Sequence, residues 1–505
     1  MGRGFPWNRQ LQLLERQKSD CWIRAGASIT ELMKRTSSQR NTLAASASGA
    51  RRLLGDLRKI LGSEGVLDDA DRLVPYKGDK WFARGEPLAV VLPSTTAEVV
   101  GVMRLAARNQ LAVTPRGAGY GYVGGCVPVR GGIVISAERM NRIVEISSKD
   151  FVAVVQPGVI TGDLQQAVLR RGLFYPPDPA SLRECSLGGN IASNAGGPKC
   201  LKYGVTRNYV LGLEVVLADG SIVRCGGRTH KNKTGFDLVG LFVGSEGLLG
   251  YVTEATLRLL PCPPSRAVLS AGFTSMAAAA QAIQAVFRAG FLPAALEVAD
   301  AFTLNAARAF RPDERFPKGQ AQVILEVDGQ PASVKSEAAT LAKILVGSGA
   351  IDFVKAVNEA GCERLWGLRR VYSQSLKATG LRKLNEDVVV PRGRLVDLVK
   401  FATRLQKQSG FPIACFGHAG DGNIHVNIMV GDYENPSVRK RADAALDALF
   451  AQVLEWGGAI TGEHGIGLAK MRWWPTAVGP EVQKLHRTIK QALDPALLLN
   501  PGKFV

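Results

Sequence analysis

Histidine is scarce in this sequence, and its cysteines do not form metal-binding pairs. The chain of 505 residues has five histidines and eight cysteines, and no two cysteines make a C-x-x-C pair. An iron–sulfur cluster or a structural zinc site of the usual cysteine spacing is therefore not expected. We identify no secretory signal, so the thiols are predicted to be reduced, as in the cytoplasm.

Long apolar runs and concentrated basic patches are also missing. No apolar run reaches the roughly 18 residues that a membrane span needs. The formal net charge of +19 is spread along the chain. No zinc finger, helix-turn-helix or aromatic RNA-binding signature accompanies it, so nucleic-acid binding is not predicted. An anionic membrane surface, an acidic partner and an anionic substrate all remain open. We expect a cytoplasmic protein, free or peripheral to a membrane.

Residues 1–50 are rich in arginine and serine and poor in acidic residues. This composition loosely resembles a mitochondrial presequence. A mobile basic tail, or an over-extended start with Met33 as the alternative, is the simpler interpretation. We predict a mobile basic extension over residues 1–50 and leave mitochondrial targeting open.

Strand and helix patterns become regular from Leu88 onward. The run LAVVLP predicts a buried strand, STTAEVVGVMRLAARNQL predicts an amphipathic helix capped by Thr95 or Thr96, and AVTP predicts the next strand. The run TGDLQQAVLRRG predicts a helix with Thr161 as its cap, and VLGLEVVLADGSIVRC predicts a hairpin that turns at Asp219-Gly220. These patterns indicate an α+β domain that ends near the CPPS segment at residues 262–265, and a second α+β domain follows it.

A glycine-rich loop follows the AVTP strand. It contains Gly119-x-Gly121-x-x-Gly124, but Pro128 and Gly131-Gly132 come next and then another strand. A Rossmann fingerprint needs a helix directly after the glycines, so NAD binding of that type is not predicted. Five glycines within residues 117–125 exceed what a long turn needs. Their unobstructed N–H groups favour an anion site instead.

A second segment, YPPDPASLRECSLGGNIASNAGG, combines prolines that fix the backbone with small polar residues. Its backbone amides and hydroxyls suit the edge of a flat polar ring system. A structural Ω-loop would have a similar composition. Both interpretations stay open on composition alone.

Several ordered motifs resemble one family of flavin enzymes. The runs PRGAGYGYVGGCVP, YPPDPASLRECSLGGNIASNAGG, YGVTRNYVLGLEVVLADG and LFVGSEGLLGYVTEATLRL resemble the PCMH-type FAD-binding domain of the vanillyl-alcohol oxidase superfamily. The C-terminal half resembles the FAD-linked oxidase cap of its D-lactate dehydrogenase, glycolate oxidase D-subunit and D-2-hydroxyglutarate dehydrogenase branch. The resemblance implies an α+β fold, with an FAD-binding domain of two α/β subdomains over residues 51–262. Residues 263–484 would form the α+β cap, and residues 485–505 would return to the FAD domain.

The resemblance also implies non-covalent FAD. Its pyrophosphate would lie on residues 116–125, and its isoalloxazine near residues 186–192 and Val252. Tyr120 stands where covalent members place a flavin-linked histidine, and Tyr120 and Val123 replace the usual Thr or Ser, so hydroxyl contacts to the phosphates are lost or remade. The implied cofactor residues are Arg116, Gly117, Ala118, Gly119, Tyr120, Gly121, Gly124, Gly125, Pro177, Ser186, Gly188, Gly189, Asn190, Ala192, Val252 and Asn500.

Three of the five histidines lie in two glycine-rich loops. In GHAGDGNIHVNIM, Asp421-Gly422 is a strong hairpin signal. Placed at a two-residue turn, it sets His418 opposite His425, with Cβ atoms roughly 4.5–5.5 Å apart on one face. The run TGEHGIG adds Glu463 and His464. Two imidazoles and a carboxylate with open positions are typical of a catalytic metal ion, although separate structural roles would explain each residue alone.

The resemblance implies a role for each of these four residues. His418, His425 and Glu463 match the ligands of a divalent ion, zinc or similar, and His464 matches the base. The ion would hold the hydroxyl of a D-2-hydroxy acid such as D-lactate or glycolate and lower its pKa. His464 would take the hydroxyl proton, and the α-hydrogen would pass as hydride to flavin N5, which gives a 2-oxo acid.

The carboxylate of such a substrate needs a cation. The run ERLWGLRRVYSQSLKATG predicts a helix on which Trp366, Arg369 and Ser373 share a face. The resemblance places Arg369 where the family clamps the carboxylate, and a guanidinium can do so bidentately. Ser373 and Asn427, on the second strand of the predicted hairpin, are further substrate candidates. The family's additional lysine has no clean match, because Lys383 is nearby but out of register.

Partners and rival functions stay open. Without cluster cysteines in the chain, reduced FAD would pass its electrons to a quinone, a cytochrome, an electron-transfer flavoprotein or an iron–sulfur subunit. A homodimer is compatible with the sequence. A different alcohol or sugar oxidase on the same flavin fold would lack the set of three histidines and an acid. A non-catalytic flavin-binding subunit would bind FAD without oxidising a hydroxy acid.

Overall fold

Three larger β-sheets and one two-stranded sheet build the computed structural model, which describes residues 47–505. The α-helices of this part are α1 Ala47–Leu61, α2 Ala70–Leu73, α3 Thr96–Arg108, α4 Thr161–Leu169, α5 Leu187–Ser193, α6 Cys200–Tyr203, α7 Leu238–Phe242, α8 Met276–Arg288, α9 Ala301–Phe310, α10 Pro331–Gly347, α11 Glu359–Arg370, α12 Tyr372–Ala378, α13 Leu395–Ser409, α14 Pro436–Glu455, α15 Trp474–Ala477 and α16 Pro480–Leu493. Short 3-10 helices span Ser63–Gly65, Val74–Tyr76, Thr206–Asn208 and Arg392–Arg394.

Four strands form the first sheet: β1 Val66–Leu67, β2 Ala89–Val91, β3 Val113–Arg116 and β4 Ile133–Ser136. Their order is β1-β2-β4-β3, and both β2 and β3 run parallel to β4. Helix α3 connects β2 to β3, so the predicted strand–helix–strand unit is confirmed. Thr95 is the cap, because its hydroxyl accepts the N–H of Glu98 at 3.2 Å. The strand β4, and no helix, follows the glycine loop.

The second sheet is antiparallel. The next strands are β5 Ile143–Ser147, β6 Val152–Val155, β7 Leu173–Phe174, β8 Val210–Val216, β9 Ile222–Gly226, β10 Tyr251–Arg258 and β11 Leu260–Pro261. Five of them form a sheet of order β5-β6-β10-β8-β9, and β7 pairs with β11. The predicted hairpin is confirmed as β8–β9, with Gly220 at a φ of +81° in its turn. The predicted cap of α4 is wrong. Ile160 holds the cap position, and the Thr161 hydroxyl accepts Asn190 Nδ2 at 2.6 Å instead.

The third sheet has seven strands: β12 Ser265–Phe273, β13 Ala295–Ala299, β14 Ala321–Gly329, β15 Asp352–Ala356, β16 Arg382–Val389, β17 Ile413–His418 and β18 Asn423–Val430. Their order is β15-β12-β14-β13-β17-β18-β16, and every pairing is antiparallel. The main hydrophobic core joins one face of this sheet to α8, α10, α13 and α14. A smaller core joins the other face to α9, α11 and α12. Two apolar layers therefore hold the sheet and fix its register.

The face that carries the smaller core also bears a row of polar side chains. The strand registers place these side chains on one face of neighbouring strands, because residues two apart along a strand share a face. All of the row is buried. In spatial order it consists of Glu326, Glu297, His418, His425 and Asp387.

The predicted register of the histidine hairpin is wrong by two residues. His418 lies opposite Asn423, and Phe416 lies opposite His425. The turn takes four residues, because the Asp421 carboxylate accepts the N–H of Asn423 at 3.2 Å and so holds a wider loop. A shift of two residues preserves the face. The two histidine rings are therefore still neighbours, with centroids 5.7 Å apart.

Residues 54–505 form one compact unit, and α1 begins in a separate unit that ends at Leu53. The predicted mobile extension and presequence lie outside the described residues, apart from the start of α1. Within residues 47–505, no helix has the length and apolar character to cross a bilayer.

Candidate active site

One cavity of about 1270 Å³ connects the glycine loops to the polar row of the seven-stranded sheet. Its wall includes the loop after β3, helix α5, the ends of α11 and α12, and strands β16 to β18. The predicted cofactor segments and the predicted metal segment thus face the same space.

Most of the predicted cofactor residues line this cavity: Arg116, Gly117, Ala118, Gly119, Tyr120, Gly121, Gly125, Ser186, Gly188, Gly189, Asn190, Ala192 and Val252. Gly124, Pro177 and Asn500 are not part of its wall. Asn500 supports the loop from behind, since its Nδ2 donates to the carbonyls of Gly125 at 2.9 Å and Glu246 at 2.8 Å.

The first glycine loop docks on the start of α5. Ser186 Oγ accepts the N–H of Ala118 at 3.1 Å and caps α5 through the N–H of Gly189 at 3.4 Å. A Cβ on Gly117 would lie 2.4 Å from that hydroxyl, so only glycine fits there. The Arg116 guanidinium packs against the loop, where a Cβ on Gly119 would lie 2.1 Å from its Nη2, and it donates to the carbonyls of Gly78 and Pro75 at 2.7 and 2.9 Å. Its contacts brace the loop.

The three predicted metal ligands converge. One ligand atom from each of His418, His425 and Glu463 lies within 4.8 Å of the others. His425 Nε2 is 3.3 Å from Glu463 Oε1, and His418 Nε2 is 3.7 Å from Glu463 Oε2. Burial lowers the pKa of His425 to about 3, so its ring is neutral and able to ligate. Two imidazole nitrogens and a carboxylate oxygen around one point fit a divalent ion of the zinc type.

His464 stands beside this cluster. Its ring stacks on His425 with centroids 5.5 Å apart and lies 5.5 Å from the Tyr122 ring on the other side. Its Nδ1 is 3.3 Å from Asp387 Oδ1. Burial would lower the pKa of His464, but the Asp387 carboxylate outweighs burial and raises it. On the other side of the ring, His464 Nε2 lies 3.6 Å from Glu463 Oε1.

Asp387 is a functional residue that the sequence did not indicate. Its Oδ2 accepts the successive backbone N–H groups of Gly462, Glu463 and His464 at 2.9, 2.7 and 2.9 Å. It also pairs with Lys470. One buried carboxylate therefore fixes the loop that carries both the acid and the third histidine. The sequence feature that could have indicated Asp387 is an acidic residue inside the apolar strand run LNEDVVV.

Glu246, in the loop between α7 and β10, holds the next part of the same loop. Its two oxygens accept the N–H groups of Ile466 at 2.7 Å and Gly467 at 2.8 Å. Between them and His464, Gly465 has a φ of +87°, and a Cβ there would lie 2.6 Å from the Glu246 carboxylate. The histidine loop is thus fixed by Asp387 of β16 and by Glu246 of the loop that precedes β10.

The predicted substrate residues have different surroundings. The predicted helix breaks at Val371 into α11 and α12, but Arg369 and Ser373 both line the cavity. Arg369 donates through Nε and Nη2 to Glu297 at 2.7 and 2.6 Å. Asn427 is fully buried and not part of the cavity wall. Its Nδ2 donates to the carbonyls of neighbouring backbone at 3.0 and 3.1 Å.

Lys383 also lines the cavity, although the sequence left it out of register. Its Nζ donates to Ser373 Oγ at 2.8 Å. Burial first, and then the charge of Lys377, lowers its pKa to about 8. Lys383, Asn385 and Asp387 alternate along β16 and so share a face. The pairing of β16 with β18 brings these three residues to the site, and the sequence does not indicate that pairing.

Comparisons with known proteins agree with this architecture. The family described as "FAD binding domain" matches residues 87–226, and "FAD linked oxidases, C-terminal domain" matches residues 262–504. The glycolate oxidase subunit GlcD of Bacillus subtilis is 38% identical over 89% of this chain and 95% of its own length. D-lactate dehydrogenase of Anaerostipes hadrus is 34% identical over 84% of this chain and 90% of its own length.

Solved structures show the same fold. The 4-ethylphenol oxidase from Gulosibacter chungangensis superposes with a TM-score of 0.74 at 21% identity, over 91% of this chain and 97% of its own. A p-cresol methylhydroxylase superposes with a TM-score of 0.73 at 21% identity over the same shares. The predicted PCMH-type FAD-binding domain with an α+β cap is confirmed. The chain therefore belongs to the FAD-linked oxidases, and it is a flavin-dependent oxidoreductase.

Proposed function

We propose that this enzyme oxidises a small D-2-hydroxy acid, of the glycolate or D-lactate type, to the 2-oxo acid. The observation that carries the proposal is that His418, His425, Glu463 and His464 line the same cavity as the FAD loops. The names of relatives at 34% and 38% identity agree with that substrate class. FAD, when bound, supplies the acceptor for the α-hydrogen and its two electrons.

His418, His425 and Glu463 would hold a divalent ion, zinc or similar. Such an ion supplies a Lewis acid that lowers the pKa of a hydroxyl bound to it. Three protein ligands leave coordination positions open, which is the arrangement of catalytic rather than structural sites. His418 and His425 are buried, and the Glu463 side chain is 15% exposed and lines the cavity.

His464 would take the hydroxyl proton on Nε2. His464 Nδ1 lies 3.3 Å from Asp387 Oδ1, and a proton on Nδ1 facing that carboxylate would leave the lone pair on Nε2. The ring is confined between His425 and Tyr122. It therefore needs no reorientation before it accepts the proton.

Lys383 and Ser373 would hold the substrate carboxylate together with Arg369. Two nitrogens of Arg369 are already engaged by Glu297, so its charge is partly compensated. Among the described residues Lys383 bonds only to the Ser373 hydroxyl and has no acidic partner. An anion entering the cavity would therefore meet in Lys383 a cation whose charge no carboxylate compensates.

An anaerobic titration tests the proposal. Flavin absorbance of the purified protein would be followed with D-lactate, glycolate, D-2-hydroxyglutarate and L-lactate, with and without a chelator. We expect bleaching by a D-acid or glycolate that is lost on chelation and in the His464→Ala variant. Bleaching that survives both would refute the metal and base roles. No bleaching by any hydroxy acid would favour a non-catalytic flavin subunit, and bleaching by a sugar or phenolic alcohol would favour a different oxidase.

A further inference from the structure

We propose that Glu297 is a positioning residue that joins the metal ligand His418 to the cavity cation Arg369. The inference rests on the proposed metal site. Glu297 Oε1 lies 2.6 Å from His418 Nδ1, and Oε2 accepts Arg369 Nε at 2.7 Å and Nη2 at 2.6 Å. The side chain is 1% exposed, so water does not compete for either contact.

The contact with Glu297 selects which nitrogen of His418 faces the ion. A proton on Nδ1 directed at the carboxylate would leave the lone pair on Nε2, which lies 3.7 Å from Glu463 Oε2. A carboxylate behind a metal-bound histidine fixes the ring's orientation and raises its basicity. Without it, the ring could rotate or change tautomer, and the ligand set would lose its geometry.

The sheet holds Glu297 in this place. Val298 pairs with Gly417 and Ala299 with Phe416, which sets Glu297 directly opposite His418 on the same face. The cross-strand pair is thus fixed by backbone hydrogen bonds on β13 and β17. An isolated carboxylate at this depth would be costly, and Arg369 compensates its charge.

One carboxylate therefore serves two functional groups. Loss of its charge should weaken the hold on the ion and also release Arg369, which faces the substrate. A merely structural acid would change stability alone. Glu326 provides a matched control, because it lies in the same polar row on the neighbouring strand β14. Glu326 is fully buried and contacts Lys199, Arg266 and Trp366 instead of a histidine.

The test compares Glu297→Gln with Glu326→Gln in the FAD-loaded protein. The dissociation constant of zinc would be measured by competition with a chromogenic chelator, in the absence of substrate. We expect it to rise about 10- to 100-fold in Glu297→Gln and to change less than about twofold in Glu326→Gln, because only the first variant alters a contact of a ligand. The KM for the acid that bleaches the flavin should rise in the first variant as well.

A second variant guards against misfolding. Glu297→Gln combined with Arg369→Met removes both charges, so no buried guanidinium is left unpaired. Zinc binding should still be weakened by about tenfold or more, since the His418 ring then faces a neutral amide in place of a carboxylate. Folding would be checked by flavin absorbance and the unfolding temperature.

The outcomes separate the two proposals. If the unmodified protein binds zinc and either Glu297 variant binds it equally well, the role of Glu297 is refuted while the metal site stands. If the unmodified protein itself binds no zinc, the proposed metal site is refuted, and the role of Glu297 with it.

Discussion

Replacement of Asp387 by asparagine should release the loop that carries Glu463 and His464. In the native protein one carboxylate oxygen accepts three successive backbone N–H groups, and the other oxygen faces His464 and Lys470. An asparagine offers a single acceptor oxygen, and its NH2 group would face N–H donors that the second carboxylate oxygen accepts in the native protein. At least one buried donor would then lose its acceptor, and the Lys470 charge would lose its nearer carboxylate partner.

The magnitude follows from these contacts. Removing one partner of a buried ion pair costs about 3–5 kcal/mol, and each buried amide without an acceptor costs about 1–3 kcal/mol. These terms overlap, so we expect the free energy of local opening to fall by about 3–5 kcal/mol. That corresponds to a loss of about two to four orders of magnitude in hydrogen-exchange protection at residues 462–464.

The assay is amide hydrogen exchange followed by mass spectrometry on the FAD-loaded protein. The matched control is Glu386→Gln. Glu386 precedes Asp387 on β16 and lies 3.8 Å from the same Lys470, but it accepts none of the three amides. It should leave protection at residues 462–464 within about threefold, a difference of less than about 1 kcal/mol. Unchanged exchange in a folded Asp387→Asn protein would show that Asp387 does not hold the loop.

Two further predictions concern the cavity wall. Gly117→Ala should weaken FAD binding about 10- to 100-fold, measured by flavin fluorescence on dilution, because overpacking of about 1–3 kcal/mol arises where the new Cβ meets Ser186. The control is Gly227→Ala, whose new Cβ would meet no atom within 4 Å and which should bind FAD normally. If the two variants bind FAD equally well, the close contact between Gly117 and Ser186 does not matter for FAD binding. The KM for an anionic substrate should rise as pH increases through about 8, because Lys383 then loses its charge. Lys383→Arg should move that rise to higher pH, and an unchanged profile would assign the carboxylate to another cation.

The sequence was sufficient where the chemistry is local. A glycine loop with no helix after it excluded a Rossmann site and favoured an anion site, and the resemblance of this loop and of the proline- and glycine-rich segment to a flavin family implied FAD. Three histidines and Glu463 in two glycine loops indicated the metal cluster without any coordinates. Each of these signals depends on residues that are close together in the chain, whose conformational limits operate before the fold forms.

The tertiary structure decided what depends on strand pairing. The hairpin register differed by two residues from the prediction, because the Asp421 carboxylate holds a wider turn. Glu297, Lys383 and Asp387 reach the site only because β13, β16, β17 and β18 lie side by side in an order unlike their order in the sequence. Such contacts close long loops, and no local pattern specifies which strand lies beside which. The sequence alone therefore indicated the candidate reacting groups and the cofactor class, and the sheet order determined which buried carboxylates contact those groups.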